Sequence, residues 1–253
     1  MRDDVDRESP ARSVVAVTSG KGGVGKSTIV LNLALALSAR GHAVGILDAD
    51  LYGPDIPAML GLKRTEDARE WTIWRHGGKR LEPIERSGLK LMSAGFLLGE
   101  RQIMPWQSQT LPFVLRQLLY DVSWGDLDYL VIDLPPGTAD LQVELFREVK
   151  LDAALLVVGP QDVAHLDAKK LVTLLRAAEV PLLGAVENMA GMTCPHCGEP
   201  IELFPAVAAE RSLWHDGVRR LVSIPLDPAL ARLNGGPPPV FHELAEELER
   251  SLH

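Results

Sequence analysis

Gly20-Lys21-Gly22-Gly23-Val24-Gly25-Lys26-Ser27-Thr28 stands between the apolar run Val14-Val15-Ala16-Val17-Thr18 and a helical pattern from Ile29 to Arg40. A short continuous apolar run of this kind reads as a strand buried on both faces. Glycines between a strand and a helix let successive backbone N–H groups turn inward around an anion. The spacing G-x-x-x-x-G-K-[ST] is met with the required strand before it and helix after it. In that arrangement Lys26 reaches the β- and γ-phosphates and the Ser27 hydroxyl ligates Mg²⁺. A glycine-rich turn that binds nothing has no need of Lys-Ser at the start of the helix. Residues Gly20, Lys21, Gly22, Gly23, Val24, Gly25, Lys26, Ser27 and Thr28 are therefore the expected ATP-binding loop.

Outward from this loop, short apolar runs recur over 14–18, 43–47, 129–132, 153–158, 182–186 and 221–224. Helical patterns lie between and after them, over 26–40, 110–122, 139–149, 168–178, 206–215 and 241–252. Apolar runs alternating with helices indicate an α/β fold whose parallel sheet is covered on both faces. Residues 71–93 differ: Thr72-Ile73-Trp74, a turn at His76-Gly77-Gly78-Lys79, and two further short runs suggest a small antiparallel insertion. The expected fold is a P-loop NTPase with a mostly parallel sheet. Residues 1–12, charged and polar without an apolar core, read as a disordered tail. No linker or repeat divides 13–253, which reads as a single P-loop ATPase domain.

Two acidic motifs follow apolar strands. The run at 43–47 ends in Asp48-Ala49-Asp50, and the run at 129–132 ends in Asp133-Leu134-Pro135-Pro136-Gly137. Carboxylates at the C-terminal ends of parallel strands face the crevice where ligands bind. Asp133 occupies the Walker B position, where a carboxylate holds Mg²⁺ directly or through water. Either motif alone is also compatible with capping or turn chemistry. In order behind a phosphate loop, they read as parts of one nucleotide site.

Composition bounds the partners. A formal net charge of −8 with no Lys/Arg cluster disfavours nonspecific binding to nucleic acid or an anionic membrane. No apolar run approaches the ~18–20 residues of a membrane span. The two cysteines lie in one motif, Cys194-Pro195-His196-Cys197-Gly198, which is no disulfide framework. Two thiolates at this spacing can share one metal centre, and a tetrahedral zinc or a [4Fe-4S] cluster wants four sulfurs. A symmetric dimer sharing one centre satisfies the count. A zinc knuckle and a redox disulfide are the competing readings. His196 reads as a solvated spacer.

The motifs together resemble one family. Residues 20–28, Asp48-Ala49-Asp50-Leu51-Tyr52-Gly53-Pro54, Asp133 to Thr138, Gln161-Asp162-Val163, Val186-Glu187-Asn188-Met189, the cysteine motif and Ile224-Pro225-Leu226-Asp227-Pro228 are similar to Mrp/ApbC-type iron–sulfur carrier ATPases. These belong to the MinD/ParA-like P-loop class, and the resemblance covers about 13–240. A second early lysine, Lys21, resembles the deviant Walker A loop of dimeric ATPases in that class. The resemblance implies a cytoplasmic homodimer that hydrolyses Mg²⁺-ATP and holds a [4Fe-4S] cluster on Cys194 and Cys197. It implies transfer of that cluster between an assembly scaffold and apo client proteins. It further implies catalytic roles for Lys21, reaching the partner's nucleotide, Lys26, and Asp50, orienting the attacking water. Mg²⁺ would lie near Ser27, Asp50 and Asp133, and Asn188 would recognise adenine. Without the resemblance, Asn188 reads as a loop-capping residue.

The chain departs from the family at Asp55, where serine is usual, at Trp106-Gln107-Ser108-Gln109, and at Phe204-Pro205-Ala206-Val207-Ala208. Neither a four-cysteine N-terminal segment nor an appended cluster-assembly domain is in the sequence. A MinD/ParA-type spatial regulator would need a basic or amphipathic targeting helix. The last helical pattern instead carries Glu243, Glu246, Glu247 and Glu249. An electron-transfer ATPase like the nitrogenase iron protein would need well-separated cysteines. A zinc-bridged ATPase remains the third alternative.

Overall fold

The computed structural model describes residues 9–50, 53–62, 81–97, 111–137, 142, 146, 149–231 and 236–252. Among these residues eight strands form one sheet: β1 (Ser13–Thr18), β2 (Val44–Asp48), β3 (Ile84–Arg86), β4 (Leu89–Ser93), β5 (Tyr129–Asp133), β6 (Ala153–Val158), β7 (Leu182–Asn188) and β10 (Arg220–Ile224). Their order is β10-β7-β6-β1-β5-β2-β4-β3, parallel throughout except for β3 against β4. β1, β2, β5 and β6 are buried along their whole length, which is why they read as unbroken apolar runs. A separate two-stranded ribbon pairs β8 (Met192–Thr193) with β9 (Pro200–Ile201).

The longer helices are α1 (Lys26–Ala39), α3 (Leu111–Tyr120), α4 (Asp162–Ala177) and α5 (Pro239–Leu252), with a single turn, α2, over Ile56–Met59. The step from β1 through α1 to β2 crosses the sheet one way, and the step from β6 through α4 to β7 crosses it the other way. Right-handed crossovers then place α1 and α4 on opposite faces. α1 is apolar almost all round, with Ile29, Val30, Leu31, Leu33, Ala34, Ala36 and Leu37 buried. It lies between the sheet and α5, and burial on two sides leaves it no polar stripe.

Four sequence expectations change. The antiparallel pair exists as β3 and β4, but β4 is also a member of the main sheet, in parallel register with β2. The helix expected over 206–215 is only a 3-10 turn at Ala209–Arg211. There the Leu213 N–H is taken by the His165 ring at 3.1 Å, and tertiary bonding overrides local propensity. α4 begins at Asp162 rather than 168. Of the tail expected over 1–12, residues 1–8 lie outside the described residues, but Ala11 is buried and the Arg12 N–H donates to the Leu127 carbonyl at 3.0 Å, so these two belong to the fold. The segments 71–80 and 106–109 and most of the helix expected over 139–149 lie outside the described residues.

Candidate nucleotide and thiol sites

β1 is central, flanked by β5 and β6, so the loop leaving its C-terminal end opens where the chain's path across the sheet reverses. Gly23 and Gly25 take left-handed φ values of +79° and +84°, which let the backbone curl before α1. Gly20 packs directly on α4: a Cβ there would lie 2.6 Å from the Asp167 carbonyl carbon and 2.8 Å from Ala168 N. The Ser19 hydroxyl donates to the Lys21 carbonyl at 3.0 Å, and the Gly137 N–H donates to the Ser19 carbonyl at 2.9 Å. The loop, Asp50, Asp55, Met59 and Pro136 line a pocket of about 250 Å³. Lys21, Gly22 and Gly23 are exposed at its rim, while Val24 and Lys26 are buried.

The structure brings the acidic residues to Lys26. The Lys26 ammonium bonds to Asp133 Oδ1 and stands 3.6 Å from Asp50 Oδ2. Asp48 and Asp133 lie in register at the ends of β2 and β5, both fully buried. Burial pushes the Asp48 carboxyl well above the usual range, and the neighbouring Asp133 adds to it. Burial also raises Asp133, opposed by Lys26 and by the Ser27 side chain. Asp133 Oδ2 is buried with no hydrogen-bond partner among the described residues. An orphaned carboxylate oxygen with the Ser27 hydroxyl nearby is an all-oxygen donor set that suits Mg²⁺.

Asn188 ends β7, buried, and its Nδ2 donates to the Val24 carbonyl at 2.8 Å. Its side chain therefore braces the phosphate loop, as a capping asparagine would. Sequence reasoning missed two further polar residues. Gln142 Nε2 donates to Thr18 Oγ1 at 3.1 Å and to the Pro135 carbonyl at 2.5 Å. The Ser93 hydroxyl donates to Asp48 Oδ2 at 3.0 Å. Neither carries a local signature, because Thr18 lies 124 positions from Gln142 and Asp48 lies 45 from Ser93.

The cysteines stand apart from this pocket, at the tip of the β8–β9 ribbon. The Cys194 N–H donates to the Glu199 carbonyl at 2.8 Å, and the Gly198 N–H returns to the Cys194 carbonyl at 2.9 Å. Gly198 closes the turn at φ +77°. Both cysteines are free thiols, Cys194 half-buried and Cys197 exposed. The backbone N–H groups of Cys197 and His196, in that order, lower the Cys194 thiol from its ordinary value. A knuckle that stabilises thiolate suits a metal centre.

A family model described as ParA, the NUBPL iron-transfer P-loop NTPases, matches residues 10–252. The chain belongs to that family. Among relatives of this P-loop NTPase, an iron–sulfur cluster carrier protein of Aquifex aeolicus is 42% identical over 95% of the chain. One of Pyrococcus abyssi is 40% identical over 88% of the chain, and one of Escherichia coli is 41% identical over 91%. The chain spans 65%, 77% and 61% of those three proteins' own lengths, respectively. A nucleotide-binding protein of Archaeoglobus fulgidus, solved with ADP and found to contain cobalt, superposes with a TM-score of 0.72 at 34% identity. That match covers 95% of this chain and 89% of the other. The cell-division ATPase MinD of Pyrococcus furiosus matches with a TM-score of 0.60 over 95% of this chain and 99% of its own. At 24% identity, that likeness shows the fold.

Proposed function

We propose that the chain is an ATP-hydrolysing carrier that holds a [4Fe-4S] cluster between two copies of itself and passes it to apoproteins. The observation that carries this is the pair of free thiols held together at the tip of the β8–β9 ribbon, in a member of an iron-transfer NTPase family. Each chain offers two thiols, and four are needed for the cluster, so the centre is shared by a homodimer. Residues 13–253 act as one domain, working in the cytoplasm with a cluster-assembly scaffold and apo clients as partners. Among the described residues no helix is long and apolar enough to cross a membrane.

In this reading Gly20 to Thr28 wrap the phosphates with backbone N–H groups. Lys26 exchanges Asp133 for the β/γ-phosphate oxygens. Ser27 and Asp133 hold Mg²⁺, with Asp50 beside them. The ion, when bound, supplies Lewis-acid neutralisation of phosphate charge. Asp50, at the pocket wall, orients the attacking water. Lys21, exposed at the rim in the manner of the deviant Walker A loop, reaches the nucleotide of the second copy. Asn188 meets the adenine while keeping its hold on Val24.

The test is anaerobic reconstitution followed by iron, sulfide and zinc analysis and absorption spectroscopy. About one four-iron cluster per two chains is expected. Cys194→Ala and Cys197→Ala should each abolish it and leave nucleotide binding intact. A full cluster on a monomer would overturn the shared site. Stoichiometric zinc with no cluster absorption would establish the zinc knuckle instead, a reading that the same pair of free thiols also favours.

A further inference from the structure

We infer that Ser93 and Gly95 are positioning residues for Asp50, bracing from strand β4 the loop that carries the water-orienting carboxylate. The inference rests on the role proposed above for Asp50. Two separate contacts converge on the loop. The first runs through Asp48, which is paired in register with Ser93 across β2 and β4. Ser93 Oγ donates to Asp48 Oδ2 at 3.0 Å, and Asp48 Oδ1 accepts the Asp50 N–H at 3.3 Å. All atoms of Ser93 and Asp48 are buried. The rotation of the Asp48 carboxylate is thus fixed on one oxygen by Ser93, and its other oxygen fixes the Asp50 backbone.

The second contact is steric. The Gly95 N–H donates to Ser93 Oγ at 3.0 Å, holding the turn after β4 against the same loop. There Gly95 Cα faces Pro54 so closely that an added Cβ would lie 2.9 Å from Pro54 Cγ and 3.1 Å from Pro54 Cβ. Asp50 Oδ1 itself accepts the Gly53 N–H at 3.2 Å, which ties the carboxylate to the residue before Pro54. The brace therefore acts at two points, on the Asp50 N–H through Asp48 and on Pro54 through Gly95. Neither Ser93 nor Gly95 lines the nucleotide pocket, whereas Asp50 does. Loosening the brace should therefore leave nucleotide affinity alone and misplace the water. A displacement of about 1 Å in a reacting geometry costs on the order of a hundredfold in rate.

The experiment compares Ser93→Ala, Ser93→Thr, Gly95→Ala and Asp50→Ala in the full chain, with kcat and KM for ATP, nucleotide Kd and amide hydrogen exchange. Ser93→Ala and Gly95→Ala should each lower kcat at least tenfold with KM and Kd within twofold of the parent. Ser93→Thr, which keeps the donor, should lie nearer the parent than Ser93→Ala. Ser93→Ala added to Asp50→Ala should slow turnover no further, because both act at one point. Gly95→Ala keeps every donor and acceptor and carries the test if Ser93→Ala does not fold.

If both variants keep kcat within twofold while Asp50→Ala loses turnover, the brace is refuted and the role of Asp50 stands. A raised KM with unchanged kcat refutes it equally. If Asp50→Ala hydrolyses ATP as the parent does, the role of Asp50 falls. Exchange at the Asp50 and Gly53 amides then decides the brace: faster exchange in both variants supports it, and unchanged exchange overturns it.

Discussion

Replacing Lys26 with methionine should destabilise the protein by about 3–5 kcal/mol at neutral pH, the usual effect of stripping one partner from a buried ion pair. The Lys26 side chain is 6% exposed and its partner Asp133 is fully buried. Without the ammonium, Asp133 faces Asp48 in register and Asp50 nearby with no cation between them. Burial already holds Asp133 above the ordinary carboxylate range, and Lys26 is the largest influence pulling it back. Its loss therefore raises the folded-state pKa further while the unfolded value stays put. In the window between those two values the folded chain keeps a proton that the unfolded chain has released. Stability then falls as pH rises, by about 1.4 kcal/mol per unit for each such proton. The defect should grow between pH 5.5 and 7.5 by up to about 2.7 kcal/mol. Urea unfolding followed by tryptophan fluorescence at the two pH values measures this. Lys26→Met/Asp133→Asn should recover more than half of the loss at pH 7.5. A Lys26→Met protein within about 1 kcal/mol of the parent at pH 7.5, or equally impaired at both pH values, would refute the electrostatic argument. Calorimetry on the same variant should show tight ATP binding abolished.

Asp50→Ala should retain Mg²⁺-ATP and hydrolyse it far more slowly, whereas Asp133→Ala should weaken the Mg²⁺ dependence of binding. Calorimetry and phosphate release that show the reverse pattern would exchange the two roles. Gly20→Ala should lower stability by about 1–3 kcal/mol, because the new methyl meets the α4 backbone rather than a side chain that can swing away. A melting temperature at or above the parent's would contradict that packing. Asn188→Ala should lose about 1 kcal/mol with the bond to Val24 and reduce the preference for ATP over GTP. Unchanged stability together with unchanged selectivity would remove both roles.

The phosphate loop was legible because its chemistry is local: strand, glycines, Lys-Ser and helix are contiguous. The inner strands were legible too, since burial on both faces forces an unbroken apolar run. Their order was not, and with it went the position of β4 beside β2 and hence the meeting of Ser93 with Asp48. Nothing near residue 93 announces a partner 45 positions away. The start of α4 was missed because its first two turns expose Val163 and Leu166, which blurs the amphipathic pattern there. The helix expected over 206–215 failed for the opposite reason. Its composition suits a helix, but His165 takes one of its N–H groups and Trp214 packs edge-on against that ring at 5.5 Å between centroids. Asn188 was readable as a capping residue, and Val24 proves to be what it caps.

The central position of β1 has a consequence for the way the chain emerges during synthesis. Its neighbours are β5 and β6, whose pairing residues begin at Tyr129 and Ala153. Ser13 is therefore made 116 residues before Tyr129, the first residue that pairs with it. At the usual 5–20 residues per second this interval is roughly 6–23 s. Throughout it, β1 has no strand partner, whereas α1 can already pack on β2 and β4. Strands β2, β3 and β4 can pair earlier among themselves, so the C-terminal acidic end of β2 is made before the glycine loop has a frame. The nascent chain thus carries the apolar β1 unpaired through this interval, and a helper that shields it should raise the yield of folded protein more than slower translation would.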